Sequence, residues 1–244
     1  MHRAADRSLA GQLERDGWAL ATGVRSADAC DRLAADLPPP DHTTGRRGGV
    51  RLRLGEGADT SERVSTIRAM QELARTATDD ADLIPVRATL FDKSPEANWL
   101  VPWHQDLAVA LAERNDAADG FGPWSVKDSI PHARAPITLL ERMVAVRLHL
   151  DPCPADNGAL LVLPGSHRWP PAPTSDKPPV DAAVTCEADT GDCVLMRPLA
   201  WHASRPAERP ARRRVLHVEF GPPQPGPGVR WAWGAGPDAA GTTA

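Results

Sequence analysis

The sequence predicts a mainly-β domain, a sandwich or barrel, braced by helices near its N-terminus. Three observations predict it. From residue 84 onward, short apolar or alternating runs recur between Gly, Pro, Asp and Asn turn signals. Proline and glycine number 25 and 19 in 244 residues, which suits many short strands joined by turns. Helical periodicity is confined to the first third of the chain.

The helices come first. "SLAGQLERDG" has helical spacing and stops at Gly17, and "SADACDRLAADLP" opens on a serine cap at Ser26 and ends before the prolines at 38–40. Between them "WALATGV" reads as a short strand, and "VRLRL" (50–54) alternates like another. "SERVSTIRAMQELARTA" is the clearest helix. The strands then follow as "IPVRATLFDK" (84–93), "WLVPWHQD" (99–106), "RMVAVRLHLD" (142–151), "GALLVLPG" (158–165), "AAVTCEAD" (182–189), "DCVLMRP" (192–198), "LAWHAS" (199–204) and "RRVLHVEF" (213–220). Residues 107–136 are rich in Ala, Asp, Gly and Pro with no clear period, and so long an excursion is expected to be a lid or binding loop. The tail from 221 to 244 is Pro/Gly-rich, with disorder expected past "WAW". The expected organisation is one domain over 1–244: helical support at 1–83, a β core at about 84–220, and the tail.

Composition narrows the function. The formal net charge is −4 and the arginines are scattered apart from "RRR" at 212–214, so no nucleic-acid partner is expected. No apolar N-terminal run resembles a signal peptide and no segment reaches membrane-span length, so a soluble cytoplasmic protein with no membrane partner is expected. The four cysteines form no CxxC pair and are expected to be buried thiols. Tyrosine is absent, which removes it as nucleophile, acid or radical site.

The chemistry begins at "WLVPWHQDL". His104 and Asp106 are two apart, which on one strand puts both on one face. Such a pair is a hydrogen-bonded couple or two ligands of a metal. Further on, "PLAWHAS" supplies His202, which like His104 follows a tryptophan. Two imidazoles and one carboxylate are the ligand set of a non-heme Fe(II) site with open positions. A structural zinc would close four. Eleven residues after His202 comes Arg213, whose guanidinium can hold a carboxylate bidentately, with Arg212 and Arg214 as rivals. Strand parity puts Arg213, His217 and Glu219 on one face and Leu216, Val218 and Phe220 on the other. It likewise sets Arg147 and His149 against Leu148 and Leu150.

Together "WHQD", "NGALLVLPGSHRW", "TGDCVLMRPLAWHAS" and "RRRVLHVEF" resemble the phytanoyl-CoA dioxygenase family of Fe(II)- and 2-oxoglutarate-dependent oxygenases, over roughly 84–220. The resemblance implies a double-stranded β-helix (jelly roll) with helices on one side. It implies His104, Asp106 and His202 as iron ligands, and Arg213 as partner of the distal carboxylate of 2-oxoglutarate. Ser204 falls where a second donor to that carboxylate often sits, and a strand-ending bond to backbone is its rival role. Thr89 is a further expected co-substrate contact. Arg147 stands where the family's acyl-CoA hydroxylase has tryptophan, so acyl-CoA specificity does not carry over.

The expected reaction is hydroxylation of an unactivated C–H in a small metabolite, using O₂ and releasing succinate and CO₂. Desaturation, epimerisation or cyclisation are the alternatives. Because Asp106 is retained, halogenation is disfavoured. Arg87, Trp103, Arg147 and His149 are the expected substrate-binding residues, and an Arg147–His149 internal network is the competing role for that pair. His167 is expected to serve a turn. A jelly-roll isomerase, a dioxygenase without co-substrate, or a silent binding module are rival readings.

Overall fold

The computed structural model describes residues 8–37, 49–52, 60–171 and 178–233. Three capped helices start the chain. α1 (Leu9–Asp16) is capped by Ser8, whose Oγ accepts from the Gly11 N–H, and α2 (Ala27–Asp36) is capped in the same way by Ser26. α3 (Ser61–Thr78) starts from Thr60. Gly17 closes α1 at φ 75°, and a side chain there would run into the ring of His167. Among the described residues, no helix is long and apolar enough to cross a membrane.

The strands are β1 (Trp18–Ala21), β2 (Val50–Leu52), β3 (Ile84–Lys93), β4 (Val101–His104), β5 (Ala108–Ala110), β6 (Trp124–Lys127), β7 (Ile130–Arg134), β8 (Val144–His149), β9 (Leu160–Val162), β10 (Val184–Cys186), β11 (Cys193–Met196), β12 (His202–Ser204) and β13 (Arg213–Gly221). A short helix, α4 (Ile137–Leu140), precedes β8. They form a six-stranded sheet, β1-β11-β8-β13-β3-β2, and a four-stranded sheet, β10-β9-β12-β4. Every pairing is antiparallel. These two sheets are the jelly roll. The expected strands at 50–52, 84–93, 142–151 and 213–220 are present, and residues 53 and 54 of the alternating run lie outside the described residues.

The six-stranded sheet has two different faces. Ala88, Leu90, Val146, Leu148, Leu195, Leu216, Val218 and Phe220 pack with Leu13, Leu33, Met70 and Ala74 of the helices. The alternate residues face the four-stranded sheet, as period-two parity requires. Part of that inner space is apolar, filled by Leu160, Val162, Cys186, Val194 and Met196. The rest is polar and forms the site.

Residues 107–136 differ from expectation. They build a third sheet, β5-β7-β6, packed over an apolar cluster that includes Val109, Leu111, Ala133 and Leu139. Strands of three to five residues are too short to show a period, so the segment reads as loop in sequence. The tail also packs here. The Ala112 N–H donates to the Arg230 carbonyl at 2.9 Å, and Trp231 enters the cluster with its Nε1–H donating to the Pro222 carbonyl at 2.8 Å. The part of the tail past residue 233 lies outside the described residues. All four cysteines are buried and unpaired, as expected.

Truncating Trp231 to alanine leaves a cavity in this cluster. W231A is expected to cost about 3–5 kcal/mol of unfolding free energy, the range for buried large-to-small changes, read by denaturant titration. A loss below about 1 kcal/mol would show that the tail is not held in this way.

Candidate active site

Contacts distant in sequence assemble the three ligand-bearing residues. β4 ends at His104, earlier than expected, because Gln105 and Asp106 leave the strand to bond elsewhere. The Asp106 N–H donates to the Pro198 carbonyl at 2.8 Å and the Gln105 side-chain amide to the Leu199 carbonyl at 2.7 Å. These bonds pin the segment to the turn that leads into β12. On the sheet, His104 and His202 are direct cross-strand partners. Their rings lie 4.1 Å apart, centroid to centroid. Asp106 Oδ1 is 3.6 Å from His104 Nε2, and its Oδ2 is 3.6 Å from His202 Nε2.

Each ring is oriented by backbone. His104 Nδ1 lies 2.8 Å from the Pro102 carbonyl, and His202 Nδ1 lies 2.9 Å from the Ala200 carbonyl. A carbonyl only accepts, so Nδ1 carries the proton and the Nε2 lone pair turns to Asp106. Ligand atoms of the three residues lie within 4.8 Å of one another, close enough to hold one metal ion. Against the desolvation that would raise it, His202 and His104 hold the Asp106 carboxyl below its ordinary value. Burial and the adjacent His104 push His202 down to about 4. A carboxylate with a neutral imidazole at neutral pH is the protonation state a cation requires.

The triad opens into a cavity of about 220 Å³ between the two main sheets. Its wall carries Arg87 and Lys93 from β3, Arg147 from β8, Ser204 from β12, and Arg213 and Glu219 from β13. Register explains the grouping, since Arg213 pairs with Lys93, His217 with Arg147 and Glu219 with Arg87. Arg213 is buried, donates to the Gly158 carbonyl, and makes a 3.6 Å contact with Cys153 Sγ. Its Nε is buried without a partner. Ser204 Oγ accepts from Lys93 Nζ at 3.0 Å and lies 2.9 Å from the Gly158 carbonyl. The rivals of Arg213 are engaged elsewhere: Arg212 pairs with Asp92 and Arg214 with Asp151.

Lys93 is the residue that sequence reasoning underrated. The "FDK" strand end is open in sequence between an approach to the cofactor and a solvated end; Lys93 is 4% exposed, donates to the Trp99 carbonyl at 2.8 Å, and stands 5.0 Å from the Trp99 ring centroid. Burial and neighbouring Arg213 push it down to about 7. The available signal was parity, because Lys93 shares a face with Arg87.

Four expectations change. Trp103 is half-buried and off the cavity wall, where Trp99 stands instead. His149 is fully buried off the wall, both ring nitrogens lack partners, and burial with Arg147 and Arg213 pushes it down to about 3. No Arg147–His149 bond forms; Arg147 bonds His217 instead. Thr89 lies on the inner face but not on the wall, its hydroxyl buried without a partner. Arg87 is on the wall, with Glu219 3.4 Å away. His167 lies in a single 3-10 turn, Ser166–Arg168, with Nε2 3.2 Å from the Glu14 carbonyl of α1.

A family model described as phytanoyl-CoA dioxygenase (PhyH) matches residues 13–215. The chain belongs to that family. It is a non-heme Fe(II)- and 2-oxoglutarate-dependent oxygenase. Solved structures agree in fold. AviO1 from Streptomyces viridochromogenes Tue57 is 22% identical with a TM-score of 0.58, over 93% of this chain and 99% of that one. EvdO2 from Micromonospora carbonacea var. aurantiaca, complexed with 2-oxoglutarate, is 18% identical with a TM-score of 0.62, over 91% and 93%. SnoN, a non-heme alpha-ketoglutarate-dependent epimerase from nogalamycin biosynthesis, is 19% identical with a TM-score of 0.59, over 97% and 88%.

The position of Lys93 gives a pH prediction. Unfolded, the lysine keeps its proton to about 10.5; folded, it releases it from about 7. Between those values the unfolded chain binds more protons, so stability rises with pH. The co-substrate-free protein is therefore expected to be less stable than K93M below pH 7, with the gap closing as pH climbs from 7. Melting curves of both proteins from pH 6 to 9 check this, and a gap independent of pH would contradict it.

Proposed function

We propose that the protein hydroxylates an unactivated C–H of a small metabolite or natural-product intermediate, with His104, Asp106 and His202 holding the iron. The observation that supports it is the sharing of one cavity by the triad and the Arg213–Lys93–Ser204 cluster. The fit has a physical basis. Arg213 and Lys93 are buried cations with no carboxylate partner among the described residues, and burying unpaired charge is costly unless an anion arrives. The distal carboxylate of 2-oxoglutarate is such an anion, with Arg213 donating in a fork and Ser204 and Lys93 beside it. When bound, Fe(II) and 2-oxoglutarate supply the O₂-activating chemistry, with release of succinate and CO₂.

The chain's own residues do the positioning. Carbonyls of Pro102 and Ala200 fix the imidazole tautomers, so both Nε2 atoms are aimed without further rearrangement. The bonds of Asp106 and Gln105 to the 198–199 turn hold the carboxylate at equal reach from both rings. Arg87 and Glu219 offer a donor and an acceptor on the same cavity wall, and we assign them to substrate contact. Epimerisation is the second reading, favoured by the likeness to SnoN; hydroxylation and epimerisation diverge only after hydrogen is taken from the substrate.

Anaerobic titration of the metal-free protein with Fe(II) and then 2-oxoglutarate tests the core of the proposal. Chelation by the keto acid is expected to give a visible absorption band in the wild type. D106A is expected to lose iron binding and the band. R213M is expected to keep iron but bind 2-oxoglutarate at least about thirtyfold more weakly, the lower bound for truncating one side of a buried charge pair. Wild-type protein with iron bound and no band would sink the reading.

A further inference from the structure

Arg147 has no task in the scheme above, and its surroundings call for one. It sits on β8 opposite His217 of β13, four residues along that strand from Arg213, or roughly 13 Å of strand rise. Only 9% of the residue is exposed. Among the described residues its one hydrogen bond goes to His217 Nδ1 at 3.0 Å, and its guanidinium lies 5.4 Å from the Phe91 ring centroid. Nε is buried without a partner.

Among the described residues no acid neutralises this guanidinium. Glu219, the nearest acid along the network, receives His217 Nε2 at 3.5 Å and Arg87 at 3.4 Å, so its charge is already answered by Arg87. Burial and Arg213 both disfavour the charge of Arg147, while Asp106 favours it. Arg147 therefore feels the fields of both the Arg213 end and the triad end of one cavity. Two buried guanidiniums that repel one another are not both satisfied by one carboxylate. A dianion placed between them satisfies both.

We infer that Arg147 is a second carboxylate site, engaging the keto-acid end of 2-oxoglutarate while Arg213 engages the distal end. This rests on the co-substrate reading given above. His217 and Phe91 hold the guanidinium against the wall, so it meets the keto acid with its orientation already set. Gripping both ends would fix the orientation of the co-substrate in the cavity.

The test uses iron-loaded protein under anaerobic conditions, titrated calorimetrically and by visible absorption. The ligands are 2-oxoglutarate and 2-oxopentanoate, which keeps the keto-acid end but replaces the distal carboxylate with a methyl group. R147M is expected to weaken both ligands by a similar factor, about ten- to a hundredfold, and to shift the absorption band. R147K is expected to recover part of the loss. R213M is expected to weaken 2-oxoglutarate alone. Without ligand, R147M is expected to melt at or above the wild-type temperature, since it loses an unpaired buried charge, and this separates a binding role from a structural one. R147M with wild-type affinity for both ligands would overturn the inference, and so would a loss confined to 2-oxoglutarate. Wild-type protein that binds neither ligand would instead overturn the co-substrate reading beneath it.

Discussion

The antiparallel register of β13 between β3 and β8 is the constraint on which the rest depends. It lays Arg213 beside Lys93, His217 beside Arg147 and Glu219 beside Arg87, while Leu216, Val218 and Phe220 point into the helical core. Core and site are thus carried by alternate residues of one strand. A slip of one residue would put three charged or titratable groups against the helices and three apolar groups in the cavity. The apolar side enforces the register, because Leu216, Val218 and Phe220 are all fully buried. The large helix-packed core is therefore also what aligns the polar wall.

That wall is electrostatically unfinished. Three cations, Lys93, Arg147 and Arg213, lie buried around one cavity with no carboxylate paired to any of them among the described residues. Such an arrangement stands against folding, and in a marginally stable domain the apolar contacts elsewhere must offset it. Ligands that bind only the folded state shift that balance back. The empty protein is a strained receptor, and the ligand-bound one is the balanced molecule.

Much of this was legible in the sequence. Ser26 marked a helix start, and strand signals placed β3 at its observed bounds and β8 and β13 to within two residues at each end. The cluster of His104, Asp106 and His202, close enough to hold one metal ion, was readable because its residue types and spacing are restrictive. What failed has a common cause: parity gives a side chain's face but not its depth. Thr89 and His149 lie on the predicted inner face yet off the cavity wall, while Lys93, on the same face of β3 as Thr89, is on it. Depth depends on which part of the four-stranded sheet covers the position, and that is a nonlocal fact. The early end of β4 has the same origin, in bonds to residues more than ninety positions away. Short strands such as β5 carry too few residues for any period to register.

Among the described residues the β5-β7-β6 sheet shares no hydrogen-bonded strand with either large sheet, yet its apolar cluster takes in Val86 of β3, Met143 and Leu199, and Asp128 in the β6–β7 turn pairs with Arg51 of β2. The small sheet is thus joined to the large one by side chains and not by a strand ladder. Because no ladder joins them, the length of the β6–β7 hairpin does not set the register of β3, β8 and β13. The two sheets meet at β3: Val86 packs into the small sheet's cluster while Arg87 and Lys93 of the same strand line the cavity, so the small sheet braces the strand that carries part of the site.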